Sequence, residues 1–303
     1  MVIAGPPVSI AIPFYNAGPA LLDAVRSVFA QTYTNWELLL VDDGSTDGSL
    51  DLAKSINDPR VRVFSDGQNR RLAARLNQIA GLAKYSYVAR MDADDLMARC
   101  RIERQMAVLD GDPAVALVST GVYSLDDQYV AVGRRCVAAG HRITPRGLLA
   151  GQSGIVHASV VARKEWLQRN PYREDLAKSQ DTNLWVRAYS KDDLRAAIIP
   201  EPLYFYREDG NVTTDKLLLA YRIGRITVRE DAGSGFSRSE TLRALAVSHA
   251  KTSVVAALAR VGRLDLIRAR RNRSGMSQEE ERQVAEEVMA IRQTSLPTVK
   301  GLS

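Results

Sequence analysis

The chain has 303 residues, 46% of them hydrophobic and 25% charged, a globular usage that excludes a disordered, collagen-like or low-complexity protein. Net charge is +6, yet residues 234–303 hold 12 Lys/Arg against 7 Asp/Glu while residues 1–233 hold 29 against 28, so the basicity belongs to the C-terminal stretch. Two separated cysteines, Cys100 and Cys136, exclude a disulfide framework. No apolar run nears the ~20 residues that span a bilayer, and no positive segment precedes an apolar stretch at the start, so a cytoplasmic protein is expected.

In chain order, Val8–Ile12 reads as a strand, and Leu21, Leu22, Val25, Val28 and Phe29 follow at helical spacing. Residues 36–41 form an apolar run of the kind buried on both faces in a parallel sheet. Val61–Phe64 and Tyr85–Ala89 are further strands, with a helical face of Leu72, Leu76, Ile79, Ala80 and Ala83 between them. A helix over about 97–109 leads into a strand at Val115–Ser119. Such alternation predicts an α/β, Rossmann-like fold with a mostly parallel central sheet of about five strands, flanked by helices, binding its ligand at the carboxyl edge. Residues 121–232 read as an α+β portion on the same core. The chain turns helical from Asp215, and a Gly233-Ser234-Gly235 hinge opens a basic helical extension over 233–303. Its last helix, around 278–292, starts at Ser277 with Glu280 as capping-box partner.

Three acidic clusters carry candidate chemistry. Asp42-Asp43-Gly44-Ser45-Thr46-Asp47 ends the apolar strand; a carboxylate there suits a nucleobase or ribose, and the same residues also make an ordinary turn and helix cap. In Met91-Asp92-Ala93-Asp94-Asp95, alternate carboxylates in extended backbone point one way, so Asp92 and Asp94 converge on a hard divalent cation; a solvated acidic loop is the alternative. In Ser179-Gln180-Asp181-Thr182-Asn183-Leu184-Trp185, Asp181 is either a general base or a helix cap. Neither a Gly-x-Gly-x-x-Gly fingerprint after the first strand nor a Gly-Lys-Ser/Thr phosphate loop is present.

Four linked stretches, Val8-Ser-Ile-Ala-Ile-Pro-Phe-Tyr-Asn16, Ser27-Val-Phe-Ala-Gln-Thr-Tyr33, Trp36-Glu-Leu-Leu-Leu-Val-Asp-Asp-Gly-Ser45 and Tyr87-Val-Ala-Arg-Met-Asp-Ala-Asp-Asp95, resemble glycosyltransferase family 2 in order and spacing. These are inverting enzymes with an A-type, nucleotide-sugar-binding fold. The resemblance runs on through Arg101-Ile-Glu-Arg-Gln105 and His157-Ala-Ser159 to Asp181-Thr-Asn-Leu-Trp185, covering about residues 8–210. It implies a nucleotide-sugar-binding half over 1–120 and an acceptor-binding, catalytic half over 121–232. Pro13, Tyr15, Asn16 and Asp43 would line the nucleotide pocket with Asp42 in support. Asp92 and Asp94 would be the D-x-D pair that holds Mg2+ or Mn2+ on the diphosphate, and Asp181 the catalytic base. Arg90 would brace those carboxylates or reach a phosphate, or simply compensate their charge. His157, Gln180 and Trp185 are weaker candidates for the sugar or acceptor pocket, His157 being by default a buried structural histidine and Trp185 a core residue.

The chain departs from the family pattern in three places. Gln180 stands where many members carry an acid. Asp209 replaces the His of a Tyr-Arg-x-His segment, leaving Arg207 as the diphosphate contact, and Asn69-Arg70-Arg71 replaces Asn-x-Gly. The function expected from the resemblance is transfer of a sugar from a nucleotide-diphosphate donor to a glycan or lipid-linked acceptor, in surface polysaccharide or lipopolysaccharide synthesis. The alternatives are a nucleotidyltransferase that makes the sugar nucleotide and a non-catalytic nucleotide-sugar-binding protein. Leu258, Val261, Leu264 and Ile267, beside the arginines of 260–273, would suit an anionic membrane surface at the inner face or a homodimer seam. Nucleic acid is not an expected partner, because the cleft carries aspartates.

Overall fold

A computed structural model describes residues 5–208, 214–260 and 275–297. The first half alternates as the periodicity predicts: β1 Val8–Phe14, α1 Ala20–Phe29, β2 Trp36–Asp42, α2 Ser49–Lys54, β3 Val61–Phe64, α3 Arg71–Leu82 and β4 Tyr87–Arg90. Next come the two-residue strand β5 Leu96–Met97, α4 Arg101–Gly111, and the paired strands β6 Leu117–Leu125 and β7 Ala131–Arg135. The remainder is α5 Pro145–Leu149, a 3-10 turn at His157–Ser159, β8 Val161–Arg163, α6 Lys164–Arg169, α7 Gln180–Ser190, β9 Ala196–Arg207, α8 Thr214–Glu230, α9 Arg238–Arg260 and α10 Gln278–Arg292.

Among the described residues one nine-stranded sheet runs β3-β2-β1-β4-β8-β6-β9-β5, with β7 beside β6. The stretch β3-β2-β1-β4 is parallel, as expected. Beyond β4 the sheet is mixed: β8 runs antiparallel to both β4 and β6, while β9 pairs parallel with β6. Every residue of β1 and β2 is buried, since helices cover both faces of this part of the sheet. Glu37, the acid near the start of β2, is satisfied by Ser9 Oγ at 2.7 Å, the Lys84 N–H at 2.7 Å and Arg62 at 2.9 Å.

Parallel strands point their carboxyl ends one way, which brings the loops after β1, β2 and β4 to a common edge. Register carries this through: Phe14 lies opposite Asp42, and the Asp43 N–H donates to Phe14 O at 2.8 Å. The mixed half closes the edge from the other side, β9 pairing Tyr204 with Met97 and Phe205 with Leu96.

At the C-terminus, α10 inserts Val284, Val288 and Ile291 into the same core as α1. Arg292 pairs with Asp23 at 3.1 Å, Glu287 with Arg99 at 2.7 Å and Glu280 with Arg134 at 2.7 Å. Ser277 Oγ caps α10 by accepting from the Glu280 N–H at 3.2 Å, but the Glu280 carboxylate turns to Tyr123 and Arg134 instead of closing the capping box. Gly233 donates to Ser190 Oγ, and a side chain at 235 would meet Ser190 Cα at 2.9 Å, so the expected hinge is packed against the end of α7. Val261, Leu264, Ile267 and the arginines of 263–273 lie outside the described residues, as does Asp209. No described helix is long and apolar enough to cross a membrane.

Candidate active site

The loop after β2 is built by hydrogen bonds to its own acids. Asp42, 1% exposed, accepts from the Ser45 N–H at 2.9 Å and Ser65 Oγ at 2.7 Å. Burial would raise its pKa, but the hydrogen bonds from Ser45 and Ser65 outweigh it and hold the carboxyl below its ordinary range. Asp43 is saturated too, with one oxygen on the Arg70 N–H (2.7 Å) and Arg75 Nε (2.8 Å) and the other on the Arg71 N–H (3.0 Å). It therefore sits at the start of α3, where orphan amides and the helix dipole favour an anion. Gly44, at φ +78, has no room for a side chain: a Cβ would lie 2.9 Å from the backbone at Gln68 and Asn69. Arg71 adopts φ +69, so the glycine-like backbone survives with an arginine in the place of the family's glycine.

Pro13, next to last in β1, lies beside Val41, Tyr15 just past the strand is 51% exposed, and Asn16 ties the first two loops together, its N–H donating to Ser45 Oγ and its Oδ1 accepting from the Thr46 N–H.

The loop after β4 differs. Arg90, 7% exposed, donates through Nη2 to Asp92 Oδ1 at 2.6 Å, while its buried Nε has no hydrogen-bond partner among the described residues. Burial opposes the Arg90 charge, yet Asp92, Tyr172, Tyr204 and Asp181 together raise its pKa. Asp92 keeps 28% of its side chain exposed, and Asp94 is half-buried. Asp95 faces inward instead: at 2% exposure it accepts from Tyr204 OH at 2.7 Å and the Arg207 N–H at 2.8 Å. Burial first, then Asp92 and Asp94, push its pKa well up, and burial with the same three carboxylates pushes Tyr206 up to about 12. Behind β4, fully buried Arg101 holds the Arg90 carbonyl at 2.9 Å and Gln105 Oε1 at 2.8 Å.

Asp181 lies in the first turn of α7, half-buried. Among the described residues its carboxylate has no hydrogen-bond or ion-pair partner, and it acts electrostatically on Arg90 and Tyr172, as Asp92 does. Asn183, two residues on, anchors α7 by donating to Asp231 at 2.7 Å. Gln180 opens α7 and is likewise half-buried. His157 Nε2 bonds Tyr172 OH at 2.8 Å, and burial first, then Arg90, depress its pKa well below 6.5. Trp185 sits in the core at 2% exposure, stacked on Trp166 at 6.0 Å, and meets His157 edge-on rather than the open cleft. The Arg207 guanidinium turns to Asp127 (3.6 Å) and the Tyr129 ring (5.4 Å), so only its backbone touches the acidic loop.

Arg75, Tyr172 and Tyr204 were not singled out from the sequence. Tyr204 and Tyr206, two apart in a strand, share a face, which was a readable signal; Arg75 offered none beyond a charge within an apolar helical face, and Tyr172, in a polar stretch, offered none.

The family model for glycosyl transferase family 2 matches residues 9–169, just over half of the chain. The chain belongs to glycosyltransferase family 2. The putative glycosyltransferase EpsE of Bacillus subtilis (strain 168) is 31% identical over 240 residues, 73% of this chain and 83% of its own length. The Escherichia coli UDP-Glc:alpha-D-GlcNAc-diphosphoundecaprenol beta-1,3-glucosyltransferase WfgD is 28% identical over 62% of this chain and 72% of its own. Among solved structures, S. aureus TarS 1-349 in complex with UDP-GlcNAc superposes with TM-score 0.59 at 15% identity, over 94% of this chain and 80% of TarS 1-349. Mannosyltransferase PcManGT from Pyrobaculum calidifontis, in complex with GDP-Man and Mn2+, gives 0.55 at 19% identity, over 94% and 86%. At those identities the likeness is one of fold: the family's A-type arrangement, here with extra C-terminal helices. Family 2 chemistry commonly uses a divalent metal, and the donor set after β4 fits one. Among the described residues no group of three Asp, Glu, His or Cys makes a cage, but Mg2+ and Mn2+ on a diphosphate need only one or two carboxylates beside phosphate oxygens and water.

Proposed function

We propose that the protein is a metal-dependent, inverting glycosyltransferase that moves a sugar from a nucleotide-diphosphate donor to a hydroxyl of a surface glycan or its lipid-linked precursor. The observation that supports this most is that Asp92 and Asp181, far apart in the chain, both act electrostatically on the buried Arg90 and Tyr172. The loops after β1 and β2 bind the nucleoside through Pro13, Tyr15, Asn16 and the edge of Asp42 and Asp43. Asp92 and Asp94 hold Mg2+ or Mn2+, which when bound acts as a Lewis acid toward the diphosphate. Arg90 fixes the Asp92 carboxylate through a charge-assisted bond. Asp181, with no other partner among the described residues, takes the proton of the acceptor hydroxyl as its oxygen attacks the anomeric carbon. The bond to the diphosphate breaks in the same step, with inversion.

The relatives named above support this choice: TarS is recorded with UDP-GlcNAc and PcManGT with GDP-Man, and WfgD is named for a diphosphoundecaprenol acceptor. A panel of nucleotide sugars assayed for nucleoside diphosphate release, with Mn2+ or with EDTA, tests it. Release from at least one donor, abolished by EDTA, is expected. No release from any donor sinks the enzyme reading, and pyrophosphate-dependent breakdown of the donor would favour a nucleotidyltransferase.

A further inference from the structure

A second concavity, of about 540 Å3, lies between α5, the start of α7, α8 and α9, within the range of small-molecule sites. Its apolar wall includes Leu149, Tyr221, Val228 and Val247. Three cations line it, Arg146, Arg243 and Lys251, and among the described residues none of them forms an ion pair. The one lining carboxylate, Glu240, is engaged by the Ser237 N–H and hydroxyl at 2.8 and 2.7 Å. Arg243, Val247, Lys251 and Val254 recur three or four apart, so cation and valine alternate down one stripe of α9. Val247 and Val254 stay 45% and 56% exposed. Arg225 of α8 donates to Ser248 and Thr252 of α9 at 3.1 and 2.9 Å, which fixes the two walls against each other. Ser179 and Thr182 also line the cavity, so it opens beside the turn that carries Asp181.

Cations with no ion pair among the described residues, set over an apolar wall, complement an anion that carries a hydrocarbon chain. A free sugar needs neither feature, and a free phosphate leaves the wall without a partner. We propose that this cavity binds the phosphate-bearing end of a lipid diphosphate of the isoprenoid type, the carrier of the acceptor glycan. The phosphates meet Arg146, Arg243 and Lys251, the chain runs along Val247 and Val254, and the attached sugar begins next to Asp181. This site rests on the glycosyltransferase reading above and names its acceptor class.

Calorimetric titration of the full chain with farnesyl diphosphate, inorganic pyrophosphate and farnesol, each below its aggregation limit, tests the site. Farnesyl diphosphate is expected to bind at least tenfold tighter than either fragment alone. The exposed double variant Arg243→Glu/Lys251→Glu should weaken it by on the order of tenfold or more, and Val247→Asp should weaken it independently through the wall. Thermal midpoints of both variants report that the helices still pack. Equal binding of pyrophosphate and farnesyl diphosphate, or binding untouched by both variants, overturns the proposal, as does dimerisation through this face with no lipid binding. Nucleoside diphosphate titrations with Mn2+ run in parallel. If nucleotide binds and farnesyl diphosphate does not, the acceptor site alone falls; if no nucleoside diphosphate binds, the glycosyltransferase reading fails whatever the lipid does.

Discussion

Two acidic loops hang from β2 and β4, the strands on either side of β1 in one sheet, and they treat their leading carboxylates differently. After β2, Asp42 and Asp43 are nearly inaccessible and saturated by Ser45, Ser65, Arg75 and the amides that open α3. After β4, Asp92 keeps part of its surface, and at the start of α7 Asp181 is without a hydrogen-bond partner among the described residues. The first loop uses its acids to build a wall; the second turns Asp95 inward to Tyr204 and leaves Asp92, like Asp181 of α7, part-exposed. A saturated buried carboxylate contributes stability, whereas one held half-exposed near a buried arginine has lost hydration without full replacement, a state that suits a ligand.

Substitutions that exchange the two behaviours break or sharpen this contrast. The largest effect is expected at Asp181: Asp181→Asn should lower transfer by ~10²–10⁴-fold, while nucleotide-sugar affinity and the unfolding midpoint stay near wild type. Loss of stability equal to loss of turnover would make Asp181 a wall residue like Asp43. At Asp43 the main effect is expected on stability. Asp43→Ala strands part of the fully buried Arg75 charge and should cost about 3 kcal/mol in guanidinium unfolding; an unchanged midpoint would contradict the wall.

A smaller effect follows from His157. Its folded pKa is depressed below 6.5 by burial and Arg90, so the unfolded chain binds the extra proton between the folded value and 6.5. Stability is therefore full above pH 6.5 and falls as pH drops below it, by up to ~1.4 kcal/mol per pH unit. His157→Gln should flatten that slope in urea titrations at pH 7.5 and 5.5, and equal slopes would show that the ring is not held neutral. Smallest is Arg71→Gly, which relieves a positive φ and should raise stability by about 0.5–1 kcal/mol; a lower unfolding midpoint would mean that the arginine side chain repays its backbone strain.

The sheet's parallel half and its loops were readable in advance because each motif directly follows an apolar run: a strand end fixes where a side chain projects. What saturates Asp43 was not, since Arg70, Arg71 and Arg75 lie 27 to 32 residues away and meet it only when α3 docks. The same holds for Tyr204 on Asp95, a pairing across 109 residues. The antiparallel turn of the sheet at β8 was equally hidden, because a three-residue strand has no period of its own and is defined by β4 and β6. Arg207 was assigned from its motif, yet its side chain follows Asp127 and Tyr129, neighbours contributed by the β6–β7 connection.

The most direct test of the central claim is Mn2+ binding, measured by electron paramagnetic resonance in the presence of UDP, GDP or dTDP. The expected result is nucleotide-dependent Mn2+ uptake that is lost in Asp92→Asn/Asp94→Asn and retained in Asp181→Asn. Uptake by the double variant equal to wild type would contradict the assignment of the loop after β4 as the diphosphate-metal site.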